Sequence, residues 1–217
     1  MEHEAESFDL LLHSCRQIDL NLTDEQAAKF MIYLSQLLQW NRVTNLTSIT
    51  DPQKIVIKHF VDSLTALAAT AFPFQAVVID VGAGAGFPGL PLKIVRDDLR
   101  LVLIEPIKKK CSFLTSITGL LKLGDVSIFP GSFRQYVDQI KHSAADIMVL
   151  RALRFDEIKE QAEVLLNKRG KIILYRTQMI GADSAPSGFM IESQKLFSLP
   201  MNQGNRVICI LTKSVRV

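Results

Sequence analysis

A strand that runs straight into a cluster of glycines constrains this 217-residue chain more than any other feature. Val77-Val78-Ile79-Asp80-Val81 is an aliphatic run of the kind that fills a buried strand. Gly82, Gly84, Gly86 and Gly89 follow at once, four glycines in eight residues. Such a turn can take positive φ values and let its backbone approach a ligand closely, because no Cβ stands in the way. A buried strand that ends in a glycine turn marks a nucleotide-like cofactor site on an α/β sheet.

The spacing narrows the cofactor. A dinucleotide fingerprint needs G-x-G-x-x-G, and Phe87 stands where its third glycine belongs. The pattern present is Asp80-x-Gly82-x-Gly84-x-Gly86, led by an acid, which resembles motif I of the Rossmann-like S-adenosylmethionine-dependent methyltransferases.

Downstream, runs at 76–81, 100–104, 125–129, 145–149 and 170–175 read as strands, and 88–95, 107–122 and 154–167 read as helices. That alternation implies βαβ units and a parallel sheet with helices on both faces. Phe189 to Leu199 and Arg206 to Lys213 read as two strands joined by a turn from Pro200 to Asn205, too short for a crossover helix. The expected class is α/β: a Rossmann-like class I methyltransferase fold, with a mostly parallel seven-stranded sheet closed by a C-terminal antiparallel hairpin. Gly181 to Gly188, rich in small residues and proline, reads as a loop.

Residues 1–70 read as an N-terminal helical extension to a cofactor-binding domain over 71–217. Phe8, Leu11, Leu12 and Cys15 share a helical face, Thr23-Asp24-Glu25-Gln26 resembles a capping box, and Asp51-Pro52 opens a further helix. Trp40 to Thr47 reads as a polar loop between them. The chain is 48% hydrophobic, ample for a core, and no apolar run approaches the roughly 20 residues that span a bilayer. The acidic start Met1-Glu2-His3-Glu4 is the wrong flank for a secretory signal, so a cytoplasmic protein is expected. Cys15, Cys111 and Cys209 are far apart, with neither a disulfide framework nor a metal site encoded. With no sustained heptad, a monomer is expected. A net charge of +3 leaves any RNA contact to local patches such as Lys108-Lys109-Lys110, Lys168-Arg169 and the pair Arg151 and Arg154.

Glu105 ends the second strand, where an acid can accept hydrogen bonds from ribose hydroxyls or cap the helix that follows. Asp80 can balance a cationic ligand directly or fix the glycine turn through backbone N–H groups. Phe87 and Phe133 are each either an apolar wall for the ligand or part of the core. After the fourth strand the chain reads Leu150-Arg151-Ala152-Leu153, without the Asn/Asp-Pro-Pro-Tyr motif of exocyclic amine methylation, and no cysteine follows a proline as carbon-5 methylation commonly requires. A ring nitrogen such as guanine N7 needs neither, because its lone pair is already free and the enzyme has mainly to align the reactants.

Trp40-Asn41-x-x-x-Asn45-Leu46-Thr47, Lys58-His59-x-x-Asp62-Ser63 and Asp80-x-Gly82-x-Gly84-x-Gly86-Phe87-Pro88-Gly89, with Arg151-Ala152 and Gly204-x-Arg206, together resemble the RsmG (GidB) family over nearly the whole chain. The resemblance implies S-adenosylmethionine-dependent N7-methylation of one guanosine in the decoding region of 16S ribosomal RNA, on the RNA or the 30S subunit. It places Asn45, His59 and Arg151 in the catalytic cleft. There Asn45 either meets the base or caps and pins its own loop, and His59 either faces the cleft or is one hydrogen-bonded histidine on an apolar helix. Arg151 either binds the cofactor or holds an RNA phosphate or stacks near the base. Asp80, Gly82, Gly84, Gly86, Phe87, Glu105, Phe133, Arg134 and Arg151 fall to the cofactor, and no metal is implied. Arg176 and Arg206 are the expected RNA contacts. Ser132, Arg134 and Arg176-Thr177 depart from the family pattern. A methyltransferase of this fold acting on a small molecule or a protein, or a non-catalytic ribosome-assembly factor, are the competing readings.

Overall fold

The computed structural model describes residues 2–140, 142, 144–181 and 185–214. Strands β1 (Val77–Val81), β2 (Arg100–Ile104), β3 (Val126–Phe129), β4 (Ala145–Arg151), β5 (Leu166–Arg176), β6 (Phe189–Ser198) and β7 (Asn205–Lys213) form one sheet in the order β3-β2-β1-β4-β5-β7-β6. β1 to β5 pair in parallel, whereas β7 runs antiparallel to both β5 and β6.

The period-two alternation of each strand divides the core. Val78, Leu103, Val149, Ile173 and Ile208 pack on one face with the helices α1 (Glu2–Arg16), α2 (Asp24–Thr44), α5 (Gly89–Val95) and α6 (Lys108–Leu120). Ile79, Met148, Leu150, Ile172 and Cys209 pack on the other with α7 (Phe133–Ile140) and α8 (Lys159–Leu165). On the first face α3 (Pro52–Ile55), a π-helical stretch (Val56–Val61) and α4 (Asp62–Ala69) follow one another without a break. The helices of residues 1–70 therefore share a core with the sheet and form one wall of the cofactor half: Phe30, Phe60 and Leu64 lie fully buried with Val78 and Leu90. Each such side chain contributes about 1.5–3 kcal/mol relative to exposure.

Local chemistry sets the helix starts. Thr23 and Gln26 exchange side-chain bonds to each other's backbone N–H in a true capping box, and the Asp51 side chain accepts from Lys54 N with Pro52 in the first turn. All three cysteines are free and buried.

The structure differs from the sequence expectation in three places. Trp40 to Thr44 are not loop but the last turn of α2, which ends only where Asn45 turns left-handed. The helix expected over 154–167 is shorter: a 3-10 turn at Phe155–Glu157 precedes α8, and β5 begins at Leu166. α7 was not expected at all. Of the loop at Gly181 to Gly188, residues 182–184 lie outside the described residues. Among the described residues no helix is long and apolar enough to cross a membrane.

Candidate functional site

Three neighbouring strands end together. Val81 pairs with Ile104 of β2 and with Leu150 of β4, so Gly82, Glu105 and Arg151 all sit at the carboxyl edge of the sheet, beside the strand-order reversal around β1.

Two acids hold the glycine turn in place. Gly84 N donates to Glu105 Oε2 at 2.8 Å, and the other Glu105 oxygen accepts from Ile107 N at 2.9 Å beside the start of α6. Asp80 is fully buried, and its Oδ2 accepts from Gly89 N at 2.8 Å. One of its oxygens thus fixes the turn through a backbone N–H. A Cβ on Gly89 would lie 2.8 Å from that same Asp80 oxygen. Gly86 has φ +95°, and a Cβ on it would come within 2.5 Å of Leu90 and 2.7 Å of the Tyr33 hydroxyl. Only glycine fits where α2 approaches the turn this closely.

The N-terminal helices grip the turn from the other side. The Tyr33 hydroxyl donates to the Ala85 carbonyl, and its ring stacks on Phe87 at 5.3 Å. His59 also stacks on Phe87, with centroids 4.6 Å apart and planes 16° from parallel. Phe87 is only 9% exposed, so its ring ties the turn to these helices.

A chain of hydrogen bonds then runs from α2 to β4. Asn41 clamps the backbone of Thr47, donating to its carbonyl at 2.8 Å and accepting from its N–H at 2.9 Å. The Thr47 hydroxyl lies 2.8 Å from His59 Nε2, and His59 Nδ1 lies 3.1 Å from Arg151 Nη2. The guanidinium can only donate, so Nδ1 is the acceptor and the ring proton sits on Nε2, where it donates to Thr47. Burial first, and the Arg151 cation second, pull the His59 pKa down to about 3, so the ring is neutral with both nitrogens engaged.

The π-helical stretch gives Arg151 its second partner. The N–H of Asp62 bonds to the carbonyls of Ile57 and His59 and passes over Lys58. The Lys58 carbonyl is thereby free to accept from Arg151 Nη2 at 2.6 Å. Asp62 itself is fully buried and accepts from Arg206 at 2.5 and 2.9 Å, with Arg151 Nε 3.5 Å away. One carboxylate orients two arginines.

Several expected site residues lie elsewhere. Asn45 is exposed and ends α2 in a left-handed conformation; its side chain has no hydrogen bond among those of the described residues. Phe133 is 6% exposed and belongs to the core under β1 and β4, while Arg134 is exposed beside it. Arg206 is not a free cation but the partner of Asp62, whereas Arg176 is exposed. The residues that sequence reasoning missed are Tyr33, Asn41, Thr47 and Asp62. Three of these stood inside the quoted motifs without a role, and Tyr33 reads as one more core position of α2.

Between β4, β5 and β7 opens a cleft of about 460 Å³ lined by Arg151, Leu153, Tyr175, Arg176 and Arg206. Asp80 Oδ1 and Arg151 Nη1 are buried without a hydrogen-bond partner among the described residues. An orphan acceptor and an orphan donor in an otherwise satisfied site are what a polar ligand would complete. Burial pushes the Asp80 carboxyl up to about 7, against the pull of the Gly89 N–H and the Arg151 cation. Among the described residues no group of three His, Cys, Asp or Glu could hold a metal ion.

A sheet in this strand order, with a glycine turn after β1 pinned by the acid after β2, defines the protein as a Rossmann-like class I methyltransferase. Solved structures agree at the level of fold. A crystal structure of MtNAS in complex with MTA and tNA aligns over 99% of this chain and 88% of its own, with TM-score 0.60 and 13% identity. M. jannaschii TYW2 in complex with AdoMet aligns over 77% and 80%, with TM-score 0.55 and 15% identity. The sequence comparisons are narrower. The GidB family model, described as rRNA small subunit methyltransferase G, matches residues 26–208. Proteins named ribosomal RNA small subunit methyltransferase G from Oceanobacillus iheyensis and Staphylococcus epidermidis are 30% and 31% identical, over 93% and 95% of this chain and 89% and 90% of their own. The chain belongs to the GidB (RsmG) family.

Proposed function

We infer that this protein methylates small-subunit (16S) ribosomal RNA from S-adenosylmethionine, with N7 of one guanosine as acceptor. The observation that carries this is the family match, which spans the N-terminal motifs as well as the cofactor turn. When bound, S-adenosylmethionine supplies an electrophilic methyl group on a sulfonium centre. The residues present fit it. The turn from Gly82 to Gly86 would hold it, Glu105 keeps lone pairs for ribose hydroxyls, and Arg151 Nη1 is the free donor for a carboxylate. Asp80 is the buried anion available to balance its positive charge.

His59 supports the choice of acceptor. A neutral ring with both nitrogens engaged is no general base at pH 7, and guanine N7 needs none because it carries no proton. We assign His59 a positioning role toward Arg151. Asn45 ends α2 and turns the chain toward Thr47. The assembled 30S subunit or its RNA is the proposed partner of a monomeric, cytoplasmic enzyme, met first through exposed Arg176. Mass spectrometry of small-subunit RNA nucleosides, with and without the gene, tests the reaction. Loss of one 7-methylguanosine on deletion is expected, and an unchanged nucleoside profile would overturn it.

Two expectations follow from individual groups. Because Asp80 titrates near 7, a cationic ligand binds best to its ionised form. S-adenosylmethionine affinity should therefore fall as pH drops from 8 to 6, by up to about tenfold per unit below the pKa, and level off above it. Calorimetry at several pH values reads this, and Asp80→Asn should flatten the profile. In Arg176→Ala the log–log salt slope of RNA binding should shrink by about 0.7–0.9. Asp62 already balances the charge of Arg206, so the same truncation there should act mainly on folding.

A further inference from the structure

Leu153 is 44% exposed in a cleft whose other walls include three arginines. Toward the protein it covers the cofactor turn, its Cδ1 lying 2.8 Å from where a Cβ on Gly82 would stand. It is reached through Ala152, whose φ of +60° is an uncommon conformation for a residue with a Cβ. That step turns the chain from the buried guanidinium of Arg151 to a leucine presented outward.

The aromatic rings nearby offer no comparable surface. Tyr33, Phe87 and Tyr175 are 0%, 9% and 6% exposed, and their faces are taken up: Tyr33 and His59 stack with Phe87, and the Arg206 guanidinium lies over Tyr175 at 5.9 Å. A base that leaves its stack to be modified needs an apolar face to replace the neighbours it loses. Resting on the rRNA methyltransferase reading above, we propose that Leu153 is the platform on which the acceptor purine lies, a substrate-positioning residue that sets the base against the cofactor turn. Its contact with Gly82 on one side and the open cleft on the other places the ring plane at the junction of donor and acceptor. Arg176, the exposed one of the three arginines, is left to the phosphates.

The test uses the full-length protein and small subunits from a strain lacking the gene. Leu153→Ala should raise KM for the RNA about tenfold, the range in which a lost apolar contact discriminates, with kcat reduced less. Calorimetric S-adenosylmethionine affinity and Tm should stay near wild type, because the side chain is half exposed. Leu153→Phe should restore KM, since an aromatic face stacks on any base. If Leu153→Ala instead weakens cofactor binding and leaves KM for RNA unchanged, the residue only supports the turn and the proposal fails. If the wild-type protein methylates no small-subunit RNA at all, the underlying reaction fails with it.

Discussion

Asp62→Ala should cost about 3–5 kcal/mol of folding stability, the penalty for removing one member of a buried ion pair. The carboxylate is fully buried, and the side chains of its partners Arg206 and Arg151 are only 15% and 16% exposed. Truncation therefore strands two cations that water reaches poorly. For a domain of this size that loss lowers Tm by on the order of 10 °C. Asp62→Asn keeps acceptor capacity but not the charge, and should fall between. The surface pair of exposed Glu25 and half-buried Lys29 is the control, because surface pairs contribute about 0–1 kcal/mol. Urea unfolding of the two Asp62 variants and of Glu25→Ala gives the comparison; a loss below about 1 kcal/mol for Asp62→Ala would mean that solvent screens the cluster. Activity should fall further than stability does, since Arg151 loses the partner of its Nε.

The same cluster shows why part of the site escaped the sequence. Parallel strands are buried on both faces and read as aliphatic runs, so five strand positions and the hairpin were legible with little error. The hold of Asp80 on the turn was legible too, because Asp80 and Gly89 are nine residues apart, whereas the bond from Gly84 to Glu105 spans 21 residues and was not. Asp62 meets Arg206 across 144 residues, and Arg151 meets His59 across 92. No local pattern encodes such pairs. The π-helical widening that releases the Lys58 carbonyl has no composition of its own either. α7 is a different kind of miss, since its signal was present: Ser132 and Gln135 exchange backbone bonds as a capping box, with Ser132 N donating to Gln135 Oε1 at 2.8 Å and Gln135 N to Ser132 Oγ at 3.3 Å. Reading Phe129 to Arg134 only for ligand contacts hid a helix start whose first residue is core, the second of the two roles open to Phe133.

Gly82→Val should abolish measurable S-adenosylmethionine binding while the protein still folds. Its φ is +73°, a conformation that a β-branched residue scarcely adopts, and a Cβ would meet Leu153 Cδ1 at 2.8 Å. Leu153 can swing into the cleft, but the backbone cannot relax cheaply. The N–H groups of Gly82 and Ala83 both donate to the Ile104 carbonyl, at 2.9 and 3.0 Å. Any shift in φ therefore drags the turn off β2 and away from the Gly84 N–H bond to Glu105. Steric contact and strain can be separated. Leu153→Ala in the Gly82→Ala background removes the contact but leaves the left-handed requirement, so affinity should recover only in part. Gly124→Val, where a Cβ meets nothing within 4 Å, should bind like wild type. Calorimetric titration with Tm measured alongside distinguishes loss of the site from loss of the fold. Undiminished affinity in Gly82→Val would show that the turn is not where the cofactor lies, and would shift attention to the cleft between Arg151 and Arg176.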